Sequence, residues 1–199
     1  MVLSLFSNRG IFIFGIKEDF RMAEKKETKK IPILGFSGYS NSGKTTLIEK
    51  LIVVLKQSGL RIAVIKHHGH DEFEIDKEGK DSWKFTQAGA DVSIIASPKK
   101  TAYVEQRPLE FQQLVSMVQD VDLILVEGFK RETIPQIGVC REITGNDFPT
   151  DISRYIAVVT DKKDMLETVP KFNFEEIELL SEFILRKLRE GSLSKDKWI

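Results

Sequence analysis

Residues 31–55 read IPILGFSGYSNSGKTTLIEKLIVVL, and the interpretation of this stretch decides the fold. The apolar run Ile33, Leu34 and Phe36 predicts a strand. Gly38-Tyr39-Ser40-Asn41-Ser42-Gly43-Lys44-Thr45 then fits G-x-x-x-x-G-K-[ST], the Walker A phosphate loop. After Thr46, the residues Leu47, Ile48, Leu51, Ile52, Val54 and Leu55 recur at helical spacing, and Gly59 supplies a stop. Each residue type in the loop has a mechanical reason to be there. The glycines let the backbone curl so that successive N–H groups of Ser40, Asn41, Ser42 and their neighbours face a phosphate. The helix that follows adds the positive end of its dipole. Lys44 can reach the β- and γ-phosphates, and Thr45 can offer its hydroxyl to Mg²⁺. A strand before the loop and a helix after it give the match its weight.

The rest of the composition narrows the class. A chain of 199 residues suffices for one α/β domain and would be cramped as two. An apolar content of 41% and a charged content of 30% are ordinary for a globular protein. The 30 Lys and Arg balance the 30 Asp and Glu, so no global charge steers the chain toward nucleic acid or a membrane surface. The sole cysteine, Cys140, excludes an internal disulfide and suits a reducing cytoplasm. Residues 2–16 look apolar, but Asn8, Arg9 and Gly10 break the run, which is too short to span a bilayer. Residues 1–30 are expected to be a disordered extension outside the fold, with the nucleotide-binding domain at 31–199.

Further along, strands and helices alternate. Residues 61–66 read as a second, buried strand. A helix capped by Asp81 or Ser82 should bury Trp83 and Phe85 and stop at Gly89. Residues 92–96 and 101–105 read as two short strands around a Ser97-Pro98 turn. Pro108 suits the first turn of a helix carrying Leu109, Phe111, Leu114, Val115 and Met117. Residues 122–126 (DLILV) form a continuous apolar run, as expected of a strand covered on both faces. Residues 134–141 and 155–160 are further strand candidates, and residues 175–189 close the chain as an amphipathic helix. The pattern predicts a three-layer α/β domain of the P-loop NTPase type, a mainly parallel sheet with helices on both faces.

In such a sheet, ligands lie beyond the carboxyl ends of the strands. Glu127 closes the DLILV run and therefore faces the phosphate loop, either binding Mg²⁺ through water or orienting an attacking water. Asp122 lies roughly 16 Å away at the other end of that strand. All three histidines, His67, His68 and His70, fall beside Asp71 after the second strand. They read as a switch loop sensing the γ-phosphate, with Asp71 or Asp76 near Mg²⁺, or as a transition-metal site, or as a solvated loop. Asp161-Lys162-Lys163-Asp164 is similar to the guanine-reading N-K-x-D pattern with Asp in place of Asn, and the Asp164 carboxylate could accept from guanine N1 and N2.

Several blocks, taken together and in order, resemble the MobB family of molybdopterin-guanine dinucleotide biosynthesis accessory proteins, small P-loop GTP-binding proteins. They are residues 38–46, Ile65-Lys66-His67-His68-Gly69-His70-Asp71, Gly79-Lys80-Asp81-Ser82, Ala88-Gly89-Ala90 and DLILVEGFK at 122–130. The resemblance runs over residues 31–189. It implies GTP and Mg²⁺ as ligands, weak GTP hydrolysis, and service to the guanylyltransferase that joins GMP to molybdopterin. It also implies a homodimer whose sheet is extended by residues 92–105. On this reading Lys44, Asp71 and Glu127 carry the chemistry. Gly38, Ser40, Asn41, Ser42, Gly43, Lys44, Thr45 and Thr46 cradle the nucleotide, with His68 and His70 as a sensing loop or pterin contact. Thr45, Asp71 and Glu127 hold the metal. Tyr39 stands where some dimeric relatives of this P-loop class carry a lysine that reaches across the dimer. The alternative is a P-loop small-molecule kinase using ATP. Such enzymes cover the phosphates with lid arginines, and only Arg131 and Arg141 fall near the expected rim.

Overall fold

The computed structural model describes residues 30–69, 77–163 and 168–193. Its elements follow in the order β1 (Ile33–Ser37), α1 (Lys44–Gln57), β2 (Ile62–Lys66), α2 (Asp81–Gln87), β3 (Val92–Ala96), β4 (Thr101–Glu105), α3 (Phe111–Met117) and β5 (Leu123–Glu127). Then come β6 (Gln136–Cys140), β7 (Tyr155–Thr160), β8 (Lys171–Phe172) and α4 (Ile177–Arg189). Nearly all of the expected 1–30 extension lies outside the described residues.

One sheet runs β2-β5-β1-β6-β7-β8, with every neighbouring pair parallel. The continuous apolar runs go to its centre: all residues of β1, β5 and β6 are buried. Such strands need helices on both faces. On one face, Leu47, Leu51 and Leu55 of α1 pack with Leu180 and Ile184 of α4 over Leu34, Phe36, Leu125 and Val139. On the other, Phe111 and Val115 of α3 pack with Ile33, Ile124 and Val126. The expected three layers are present.

Register sets the site. Phe36 pairs with Glu127, Ser37 with Gly138, and Lys66 with Glu127, so the ends of β1, β2, β5 and β6 share one rim. Asp122 lies at the opposite end, where its carboxylate accepts the Arg61 N–H at 2.7 Å.

Several expectations are corrected. β2 is not a buried strand: among the described residues it is the sheet edge, paired with β5 alone, and Val64 is 48% exposed. In α2 neither Asp81 nor Ser82 caps the helix, since Lys80 holds the N-cap position. That helix buries no residue, and Phe85 is exposed, because α2 lies against β3 rather than against the main sheet. Pro108 precedes α3 instead of opening it. Glu110 caps α3, its carboxylate accepting from the N3 backbone while the Gln113 side chain accepts the Glu110 N–H at 2.9 Å. The expected hairpin does form: β3 and β4 pair antiparallel, as a separate two-stranded sheet.

Leu51 is fully buried between α1, α4 and the sheet. Leu51→Ala is expected to lower the unfolding free energy by about 2–5 kcal/mol, read from the midpoint of a urea melt at unchanged slope.

Candidate functional site

The loop after β1 is shaped by close approach. A Cβ on Gly38 would fall 2.3 Å from the Val139 carbonyl oxygen, so only glycine lets the chain leave β1 beside β6. Gly43 sits at φ 87°, left-handed, in the N-cap position of α1. No side chain caps that helix end and its first turn holds no acid. The dipole and free N–H groups of a 14-residue helix are thus left available to an anion. Ser42 is buried, and its N–H donates to the Tyr39 carbonyl at 3.3 Å, which closes the curl. Lys44 folds back over the loop, donating to the Tyr39 carbonyl at 2.7 Å and to Ser42 Oγ at 3.4 Å. Burial holds its ammonium below the ordinary lysine range. Glu127 opposes that shift, and the positive charges of Lys130 and Lys66 add to it.

On the β5 flank, the Thr45 hydroxyl donates to Glu127, with Oγ1 2.9 Å from Oε1 and 3.2 Å from Oε2. Lys66 Nζ lies 3.4 Å from Glu127 Oε2, and the Glu127 side chain is only 12% exposed. Lys130 sits 4.8 Å from the centre of the Tyr39 ring. A hydroxyl and a carboxylate brought together at the start of a phosphate-binding helix are hard oxygen donors. They suit Mg²⁺, which takes one or two protein oxygens and completes its shell with phosphate and water. Lys66 pairs with Glu127, and Lys44 feels the negative charge of Glu127 together with the positive charges of Lys130 and Lys66.

On the β6 flank, Arg141 follows the strand directly. Its guanidinium lies 3.7 Å from the centre of the Phe174 ring, and its Nε is 3.1 Å from where a Gly43 Cβ would stand. Asp161, just past β7, accepts the Glu142 N–H at 2.7 Å and lies 3.7 Å from the guanidinium. This arginine was not among the expected site residues, although the strand-end rule that selects Glu127 applies to it equally.

The other expected residues divide. Gly38, Ser40, Asn41, Ser42, Gly43, Lys44, Thr45, Thr46 and Glu127 gather at the loop. His67 packs edge-on against Phe129, ring centres 4.9 Å apart, and Phe129 in turn packs on Phe111, which gives His67 a packing role. His68 is exposed at the end of the described segment. His70, Asp71 and Asp76 lie outside the described residues, as does Asp164. Asp161 is engaged as a tether between strand ends. Among the described residues no group of three or more His, Cys, Asp or Glu could hold a metal ion.

Comparison with known proteins adds an independent line. The family model described as "Molybdopterin guanine dinucleotide synthesis protein B" (MobB) matches residues 33–161. A molybdopterin-guanine dinucleotide biosynthesis adapter protein of Haemophilus influenzae is 42% identical over 134 residues, covering 65% of this chain and 74% of that protein. The adapter protein of Escherichia coli K12 is 36% identical over 168 residues, covering 80% of this chain and 95% of that one. The crystal structure of Bacillus subtilis MobB superposes with a TM-score of 0.66 at 27% identity, over 79% of this chain and 98% of that chain.

Lys44→Ala is expected to weaken the binding of a nucleoside triphosphate by about tenfold or more, because a charge-assisted contact is lost. Near-wild-type affinity in a calorimetric titration would remove the loop from the binding site.

Proposed function

The chain belongs to the MobB family of molybdopterin guanine dinucleotide synthesis proteins, and from this premise we propose that it is an adapter in molybdopterin-guanine dinucleotide biosynthesis that binds GTP with Mg²⁺ and hydrolyses it slowly. The observation that carries the nucleotide part is the Thr45–Glu127 hydrogen bond beside Lys44 at an uncapped helix start. The curled loop and the first turn of α1 supply N–H donors for the phosphate oxygens. Lys44 supplies the charge that neutralises them. Thr45 and Glu127 would hold Mg²⁺, which would screen the negative charge on the β- and γ-phosphates. Glu127 is also the group within reach of a water approaching the terminal phosphate, so it either holds the metal's water or orients the attacking one. Among the described residues only Arg131 and Arg141 fall near the rim, fewer arginines than the lid of a small-molecule kinase carries.

The partner in this reading is the guanylyltransferase that joins GMP to molybdopterin, in the cytoplasm. Among the described residues no helix is long and apolar enough to cross a membrane. The protein acts as a homodimer built through the β3–β4 hairpin. Val92, Ile94 and Tyr103, on one face of the hairpin, are between 42% and 64% exposed, an apolar surface on a two-stranded sheet which a second copy would cover.

A Mg²⁺-dependent titration should show GTP bound tightly and ATP much more weakly. A preference for ATP would favour the small-molecule kinase and overturn the guanine reading. Glu127→Gln should keep GTP binding and slow phosphate release, whereas unchanged turnover would exclude Glu127 from hydrolysis. Light scattering on the wild type should give a dimer mass, and Ile94→Asp should give a monomer that still binds GTP.

A further inference from the structure

The two flanks of the phosphate loop are chemically unlike. On the β5 side, Thr45 and Glu127 mark the metal end of a bound triphosphate, where the β- and γ-phosphates must lie. The phosphate chain therefore runs from there across the loop toward β6, and its nucleoside end leaves over the carboxyl ends of β6 and β7. Arg141 stands at that exit. The Phe174 ring that backs its guanidinium is only 7% exposed and belongs to the core beneath α4, so it is a rigid support. Gly43 borders both side chains, with the Phe174 ring edge 3.3 Å from its Cβ position. Asp161, fixed by the Glu142 N–H, offsets the arginine's charge from the side. The Arg141 side chain remains 36% exposed. A guanidinium held 3.7 Å over an aromatic ring can offer its other side to the rim, and purine bases stack on such planar cations.

We infer that the Arg141–Phe174 stack is the platform for the nucleoside end of the nucleotide, with Arg141 in direct contact with the base. The inference rests on the phosphate site proposed above and adds to it the recognition of a nucleoside, as distinct from a phosphate chain. The Asp161 carboxylate beside the guanidinium makes Arg141 a stacking surface more than a further phosphate hook. Its loss should therefore be felt by GTP and hardly at all by inorganic tripolyphosphate.

The test is a titration of the full chain with Mg²⁺-GTP and, separately, with Mg²⁺-tripolyphosphate. Arg141→Ala is expected to weaken GTP binding about tenfold while tripolyphosphate changes by less than about twofold, the retained ligand serving as the control for folding. Arg141→Lys, which keeps the charge and loses the plane, should also bind GTP more weakly. Unchanged GTP affinity in Arg141→Ala, equal weakening of both ligands, or full rescue by lysine would each overturn the platform while leaving the phosphate site standing. A wild-type protein that binds neither ligand would instead overturn the phosphate site, and the platform with it.

Discussion

Parallel pairing of β1 with β5 on one side and β6 on the other is the constraint from which the site follows. Phe36 opposite Glu127 and Ser37 opposite Gly138 bring three strand ends level, and the phosphate loop leaves from the middle one. A slip of one residue in the β1–β5 register would turn Glu127 into the core or away from Thr45, because strand side chains alternate faces. The burial of all residues in β1, β5 and β6 is what holds that register in place. The chemistry at the rim is thus positioned by apolar packing below it.

The electrostatics of the rim run in one direction. Burial pushes the Lys44 ammonium toward the neutral form, Lys130 and Lys66 add to that push, and among the described residues Glu127 is the acid that opposes it. A polyphosphate entering the loop opposes that shift, since each added negative charge favours the charged form of Lys44. Lys66, half exposed at the sheet edge, can move without disturbing the core. Glu127 is more buried and is held by the Thr45 hydroxyl. The fixed and the movable members of the cluster are therefore different residues.

Much of this could be read in the chain beforehand, for identifiable reasons. The phosphate-loop spacing takes its weight from the strand before it and the helix after it, and DLILV has the continuous apolar character of a strand covered on both faces. The distinction between Glu127 and Asp122 follows from strand rise alone. What escaped was set by neighbours remote in sequence. RIAVIK is apolar enough for a central strand, and only the sheet order makes it an edge with Val64 exposed. α2 carries Trp83 and Phe85, yet it packs on β3 and buries neither fully. Two residues of β8 are too few to show a period. Arg141 was visible at a strand end, but its role depends on Phe174 and Asp161, from two other segments.

The separation of the β3–β4 hairpin from the main sheet also bears on the order in which the chain acquires structure. Ala96 meets Thr101 across a tight turn, whereas β1 must wait for β5, with Ile33 pairing to Ile124. Pairings local in sequence close far sooner than non-local parallel ones. During synthesis the hairpin can therefore close while β1 still lacks both of its neighbours, although a lone two-stranded pair is only marginally stable. Lys99 and Lys100 in its turn, and Arg107 just beyond it, place charge at both ends of its apolar face. Such charges act as gatekeepers against edge-to-edge association of nascent chains.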